Sequence, residues 1–367
     1  MPKKKVAVLF GGRSGEHEVS RNSAFAVATA LSKSFDIFPI GISKEGNWYG
    51  PVPLSDIPAF TPDKYLEKQI TILPNPQSGG TVYSLPDLDP ITRLHVFFPV
   101  LHGTFGEDGT LQGLLELAQV PYVGAGVLAS SVGMDKVMMK KIFAQAGLPQ
   151  VPFLSFLRTS VENNLPSVLE EIEGILGYPC FVKPANLGSS VGISKAANKT
   201  QLIEALKLAS RYDRKIIAEK GVNAREIEIS LLGNDEPLVS QPGEVVPCNE
   251  FYDYNAKYID DRSLLYIPAQ LEDEQVKKIQ ELAVKAYKAI DCAGFARMDF
   301  FLTNDSHEIL INEINTIPGF TNISMYPKLW EYSGIKIEEL TEKLVELALE
   351  RAEDASRSTR SYDIKKS

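Results

Sequence analysis

Four polar side chains near the end of the sequence are placed to act together: Arg297, Asp299, Glu313 and Asn315. They lie in or beside two apolar runs, 295–302 and 308–314, that read as strands. Asn304-Asp305-Ser306 between the runs reads as a turn, so the pair reads as a hairpin. Side chains two apart along a strand share a face. Arg297 and Asp299 then point the same way, and so do Glu313 and Asn315. Carboxylate and amide oxygens suit Mg²⁺, which takes few protein ligands and completes its shell with water and phosphate oxygens. The spacing predicts a nucleotide–magnesium site. A sheet with one solvated face would carry the same charges, but the flanking residues are apolar and buried charges need partners.

Three further stretches offer groups for an anionic ligand. Phe181-Val-Lys-Pro-Ala-Asn-Leu-Gly-Ser-Ser-Val-Gly192 puts Lys183 at the end of an apolar strand, just before a glycine–serine loop. Backbone N–H groups in such a loop can cradle phosphate oxygens, and the lysine supplies charge. A plain turn accounts for the stretch equally well, and the Gly-x₄-Gly-Lys-Ser/Thr pattern is absent. Met134-Asp135-Lys136 opens a helix with a lysine, against the helix dipole. An anion facing Lys136 would offset this, although a solvated lysine is the simpler reading of that stretch alone. Glu219 and Glu226 flank a loop that contains Lys220. They offer carboxylates for adenine's amino group or ribose hydroxyls, a weak signal without context.

The elements that must position these groups alternate between strand and helix. A strand at Lys5–Phe10, a glycine-rich turn and a helix over Ser20–Leu31, with Phe25, Ala28 and Leu31 on one face, open an α/β sheet. Ile37–Ile42 and Leu94–Val100 extend the layer, and Thr110–Ala118 is helical. Residues 43–92 carry prolines from Pro51 to Pro90 and read as irregular structure, or as an insertion with a short hairpin. Beyond Gly124-Ala-Gly126 a second unit begins with a helix over Ser130–Gln145. Strands follow at 154–157, 180–184, 216–219 and 226–232, with a helix inside 195–209. Residues 242–263 are polar and carry Tyr252, Tyr254 and Tyr258; long aperiodic loops are usually functional or disordered. An amphipathic helix over Leu271–Ile290 precedes the hairpin, and Ile337–Leu349 is the last clear helix. The tail after Arg351 reads as frayed.

The totals bound the function. At 367 residues the chain has room for two or three domains. A net charge of −9 argues against a nucleic-acid partner. No apolar run is long enough to span a bilayer, and the first residues lack a signal-peptide core. Cys180, Cys248 and Cys292 have no metal spacing and cannot all pair within the chain, which points to a reducing cytoplasm.

Taken together, the blocks resemble the D-alanine–D-alanine ligases of the ATP-grasp carboxylate–amine ligase superfamily. The resemblance runs from Val6 to about Leu349. Its blocks are 9–20, Leu101-His-Gly103 with Gly106-Glu-Asp-Gly-Thr110, and Met134-Asp-Lys136. Lys183-Pro184 with Gly188-Ser-Ser-Val-Gly192, 251–258, Arg297-Met-Asp299 and Asn312-Glu-Ile-Asn-Thr-Ile-Pro-Gly319 complete them. The resemblance implies an α/β, in parts α+β, three-domain ATP-grasp fold whose first domain is a Rossmann-like parallel sheet. The implied units are 1–126 for substrate, a central 127–224, and 225–367 with a lid loop 242–263 and a metal hairpin 295–319.

The resemblance also implies roles. Lys136 and Lys183 would contact ATP phosphates, Lys257 the γ-phosphate, and Asn312 the nucleotide. Glu219 and the backbone around Lys220 would read adenine, and Glu226 the ribose. Asp299, Glu313 and Asn315 would hold two Mg²⁺, with Glu313 bridging; Mn²⁺ and a monovalent cation such as K⁺ are also compatible. Glu16 would anchor the ammonium of the first D-alanine, with His102 near its carboxylate. Ser324 and Met325 would hold the second carboxylate, and Arg297 with the N–H of Gly319 would form the oxyanion site. Ser189 and Tyr258 would hydrogen-bond with Glu16 and close the lid.

The implied reaction joins two D-alanines at the expense of ATP, for peptidoglycan precursors, in a cytoplasmic homodimer. The alternative is a D-alanine–D-lactate ligase, although 251–258 looks like the dipeptide-forming lid. A nucleotide-binding regulator without chemistry would not need Asp299, Glu313 and Asn315 together. A dinucleotide-binding dehydrogenase would need Gly-x-Gly-x-x-Gly, which Gly11-Gly12-Arg-Ser-Gly15 is not.

Overall fold

The computed structural model describes residues 3–188, 191–246, 264–321 and 323–359. Its first sheet is organised around β1 (Lys5–Gly11), which lies between parallel neighbours β2 (Asp36–Ile42) and β7 (Val96–Pro99). Strands covered on both faces read as continuous apolar runs, and Val6–Phe10 is fully buried. Helix α1 (His17–Leu31) connects β1 to β2 and starts before the expected Ser20. Its buried stripe holds Ala24, Val27, Ala28 and Leu31; Phe25 is 40% exposed and does not belong to it. One residue turns a helix by about 100°, so a stripe built on Ala24 carries Phe25 out of the core.

Residues 43–92 hold more than the irregular chain or short hairpin expected of them. β3 (Trp48–Tyr49), β4 (Gln69–Ile72), β5 (Thr81–Ser84) and β6 (Pro90–Arg93) extend the sheet by antiparallel pairing, giving the order β6-β5-β4-β3-β2-β1-β7. These strands are too short to show a period. Their prolines fall in connections or at the first residue of the edge strand, where a sheet tolerates them.

After α2 (Thr110–Leu117) come α3 (Val127–Met134) and α4 (Lys136–Gln145), two helices where the sequence suggested one. Asp135 separates them with extended backbone, and its side chain accepts the N–H groups of Val137 and Met138 as an N-cap. The second sheet has the order β10-β9-β11-β8, from β8 (Phe153–Leu157), β9 (Cys180–Pro184), β10 (Ser194–Ala196) and β11 (Lys215–Lys220). It is covered by α6 (Leu165–Ile175), after the short α5 (Arg158–Asn163), and by α7 (Lys199–Tyr212). The first two of these helices had no counterpart in the sequence reading.

The third sheet is antiparallel, in the order β15-β14-β12-β16-β17, with β13 (Leu238–Val239) also on β12 (Ala224–Leu232). Its other strands are β14 (Gly243–Val246), β15 (Leu264–Tyr266), β16 (Phe295–Thr303) and β17 (Ile309–Asn315). Helix α8 (Asp273–Ala289) buries Ile279, Leu282, Ala283 and Ala286 against Ile227, Ile229, Met298 and Phe300.

The chain ends with α9 (Met325–Tyr332) and α10 (Ile337–Ser356). The segment past Arg351, expected to fray, is still helical to Ser356. Leu340, Leu344, Val345 and Ala348 of α10 share one core with Val6, Val8, Phe10 and Leu31 of the first sheet layer. Arg351 stacks over Tyr122 at 4.4 Å, donates to the Tyr122 carbonyl at 3.0 Å and also donates to that of Gly124. The last helix therefore braces the connection between the first sheet and α3.

Candidate active site

The hairpin forms as the spacing predicted. Across the β16–β17 ladder Arg297 pairs with Asn315 and Asp299 with Glu313. The register then slips: Phe300 pairs with Ile311, leaving Asn312 as the extra residue of a β-bulge. Bulges re-aim side chains beside active sites, and here Asn312 and Glu313 are both partly exposed between buried Ile311 and Ile314. The Arg297 guanidinium grips Asp299 with two bonds of 2.7 Å, and Asn315 donates to Asp299 at 3.1 Å. Arg297 also lies 3.0 Å from Glu228, which faces Asp299 from β12. Glu228 was missed in the sequence. Its signal was a second acidic residue at strand spacing from Glu226, between Ile227 and Ile229.

Lys136 is not a solvated lysine. It is 8% exposed, donates to the carbonyl of Leu187 at 2.9 Å and lies 3.6 Å from Glu313. It thereby joins α4, the loop after β9 and the hairpin. Lys183, at the end of β9, contacts Glu219 on β11 at 2.5 Å. Burial alone would lower the pKa of Lys183, but Glu219, Glu313 and Glu226 outweigh it and hold the ammonium above its usual range. Burial would raise Glu219, yet Lys140 and Lys183 bring it down to about 2. Glu226 is half-buried on β12, and the Lys220 side chain is exposed at the end of β11. Lys140, buried beside Glu219, was also missed.

The opposite wall comes from the first sheet. Glu16 is the N-cap residue of α1 and is buried. The loop after β9 passes directly over it: a Cβ on Gly188 would stand 2.6 Å from a Glu16 carboxylate oxygen, so a larger residue there would require the Glu16 side chain to shift. His102 follows β7 and is buried, with Nδ1 3.0 Å from the Ile317 carbonyl and Nε2 3.3 Å from the Ser23 hydroxyl. The Phe320 N–H donates to the same Ser23 oxygen at 3.2 Å. This network assigns the neutral Nδ1–H tautomer, and burial lowers the pKa of His102. Both ring nitrogens are therefore engaged in holding the 317–320 loop. Glu107, a third residue missed, accepts the Gly103 N–H at 2.5 Å. Desolvation, and next the charge of Glu16, push its carboxyl up to about 8.

Between the two walls lies the start of α9. Ser324 is its N-cap residue, and Met325, whose side chain is buried, is its first helical residue. The Ser324 hydroxyl is 2.7 Å from that of Thr321 and accepts the Thr321 N–H at 3.0 Å, so it does not cap the helix N–H groups. A helix N-terminus with open N–H groups suits a carboxylate. Gly319 lies against the Ser324 hydroxyl: a Cβ there would come within 2.8 Å of Ser324 Oγ. Ser189, Lys257 and Tyr258, and the lid from 247 to 263, lie outside the described residues.

Asp299, Glu313 and Asn315 form a hard oxygen set that fits Mg²⁺. Among the described residues no three His, Cys, Asp or Glu side chains gather as a self-sufficient metal cage. A two-carboxylate set needs phosphate and water to complete the shell, as a nucleotide-bound ion has.

This fold, with its lysines and carboxylates between two sheets, is that of the ATP-grasp ligases. Residues 5–125 match the family model for the D-ala D-ala ligase N-terminus, and residues 142–346 the model for its C-terminus. The chain belongs to the D-alanine–D-alanine ligase family. It is 52% identical to the D-alanine–D-alanine ligase of Heliobacterium modesticaldum over 98% of both chains. It is also 52% identical to that of Bacillus velezensis, over 94% of this chain and 97% of the relative. The solved D-alanine-D-alanine ligase of Coxiella burnetii superposes with a TM-score of 0.84 at 36% identity, covering 97% of each chain. The VanG D-Ala:D-Ser ligase of Enterococcus faecalis gives 0.84 at 39% identity, covering 94% of this chain and 99% of the other.

Proposed function

We propose that this cleft joins two D-alanines through D-alanyl phosphate, using ATP, and that the product is D-alanyl-D-alanine for peptidoglycan precursors. The family uses ATP, generally with Mg²⁺, and takes D-alanine. One observation carries the assignment of the site: the 3.6 Å approach of Lys136 to Glu313, which joins the phosphate lysines to the metal carboxylates.

A carboxylate is a poor electrophile and is activated by taking a phosphoryl group, whose charge must be neutralised. Lys136, Lys183 and Lys257 supply cations at the phosphates. Asp299, Glu313 and Asn315 would hold two Mg²⁺, with Glu313 shared; the ions supply further charge neutralisation. Asn312, Glu219, Glu226 and the Lys220 backbone complete the nucleotide site. Glu16 binds the ammonium of the first D-alanine. His102 supports the wall near its carboxylate by fixing the 317–320 loop. The second D-alanine presents its carboxylate to Ser324 and the N–H of Met325. Attack by its amine creates an oxyanion, for which Arg297 and the Gly319 N–H are donors. Water would destroy the acyl phosphate, so Ser189, Tyr258 and residues 242–263 serve to close the site.

We place the domain limits at 126/127 and 224/225 and expect a homodimer. No described helix is long and apolar enough to cross a membrane. Cys180 and Cys292 are free and buried, which favours a cytoplasmic setting. Substitution of Mn²⁺ and activation by K⁺ rest on the family resemblance.

The test is phosphate release from ATP with magnesium, with product analysis. Release should depend on D-alanine and give the dipeptide even with D-lactate or D-serine present. Release independent of D-alanine would overturn the assignment, and a depsipeptide as the main product would overturn the specificity.

A further inference from the structure

Lys140 takes no part in the chemistry above, yet it is only 1% exposed. It stands one turn after Lys136 on α4, on the same side of the helix. Its Nζ lies 2.9 Å from Glu219 Oε1 and 5.8 Å from the centre of the Phe153 ring. Lys183 holds the other Glu219 oxygen. One buried carboxylate thus carries two buried ammonium groups, although one would balance it, and desolvating a second cation is costly.

The two lysines differ in where they can go. Lys183 ends β9 at the mouth of the glycine–serine loop and also feels Glu313 and Glu226 across the cleft. Lys140 is enclosed, and among the described residues Glu219 is its one ion partner. A phosphate entering the cleft can draw Lys183 away but cannot draw Lys140. Were Lys140 absent, that departure would leave Glu219 buried without a counter-charge, so Lys183 would stay. We propose that Lys140 is a positioning residue: it holds the Glu219 carboxylate so that Lys183 can pass from Glu219 to the nucleotide's phosphate. The inference rests on the nucleotide reading of the cleft.

Lys140→Met, Lys140→Arg, Glu219→Gln and the double variant Lys140→Met/Glu219→Gln would test it in the full-length chain. Kinetics would be read beside calorimetric binding of inorganic triphosphate. Lys140→Met should raise the KM for ATP and the Kd for triphosphate by about tenfold, within the coupling range of ion-paired neighbours. The KM for D-alanine should hold, and Lys140→Arg should restore the wild-type values. Adding Glu219→Gln to Lys140→Met should free Lys183 and return triphosphate affinity close to wild type, while preference for ATP over GTP falls. A double variant no better than Lys140→Met, or a D-alanine KM that rises in step with that for ATP, would overturn the proposal. If Lys140→Met does not fold, Glu219→Gln alone should bind triphosphate more tightly than wild type, and equal or weaker binding would overturn it. If neither folds, the ion pair serves stability and the proposal falls. A wild-type chain without D-alanine-dependent phosphate release would sink the assigned reaction instead, because triphosphate binding is measured without turnover.

Discussion

The two walls of the cleft handle negative charge in opposite ways. On the wall assigned above to the nucleotide each central carboxylate has a cation against it: Asp299 and Glu228 share Arg297, Glu313 faces Lys136, and Glu219 lies between Lys140 and Lys183. On the wall assigned to the amino acids, Glu16 and Glu107 are close enough for the charge of Glu16 to raise the pKa of Glu107, and burial lowers that of His102. On the first wall Lys140 and Lys183 outweigh burial and keep Glu219 ionised, and under the proposed function its lysines are re-assigned to phosphates. On the second wall burial, and next the charge of Glu16, keep Glu107 protonated, and under the proposed function Glu16 receives the substrate ammonium. The proposed function asks one wall to exchange its cations and the other to admit one.

The largest effect should come from breaking the balanced wall. Glu313→Gln should lower kcat roughly a hundredfold or more, the scale on which a preset charge acts in a transition state. Near-normal turnover at saturating Mg²⁺ would reduce the hairpin to a structural element. On the other wall, Glu16→Gln should raise the KM for D-alanine roughly tenfold or more, the worth of one charged hydrogen bond. The KM for ATP should stay put; an equal rise in both would erase the distinction between the walls.

A subtler effect separates the walls by pH. Folded Glu107 titrates at about 8 against an ordinary 4.5. Between those values the folded state keeps a proton that the unfolded state has released, so this group subtracts stability as pH rises. Glu107→Gln removes that penalty, and its melting temperature relative to wild type should climb steadily from about pH 5 to pH 8. A constant difference would show that Glu107 is not held protonated. The smallest change is expected from Tyr258→Phe: turnover of the same order, with a larger share of depsipeptide when D-lactate competes. Unchanged product ratios would remove Tyr258 from the control of the nucleophile.

The hairpin was legible because it is local. Two strands, one turn and a period of two place Arg297, Asp299, Glu313 and Asn315 on one side without knowledge of the rest of the fold. The bulge at Asn312 was not legible, since only the partner strand reveals an extra residue. Lys136 was ambiguous because a helix-start lysine looks the same whether buried or solvated; Glu313, far along the chain, settles it. Lys140, Glu228 and Glu107 were missed for the same reason: each is defined by a partner on another element. The helix over 165–175 was available from its spacing, with Val168, Leu169 and Ile172 on one face. The strands within 48–93 were not, because runs of two to four residues carry no measurable period.

The packing of α10 on the first sheet layer ties the two ends of the sequence into one core. During synthesis, the strands of the first sheet precede by some 300 residues the helix that covers this apolar surface. A chain cut short before Leu340 would leave Val6, Val8, Phe10 and Leu31 without that cover, and the bracing of Tyr122 and Gly124 by Arg351 would go with it. Packing thus joins segments more than 300 residues apart, so the cover of the first sheet on this face is a long-range contact.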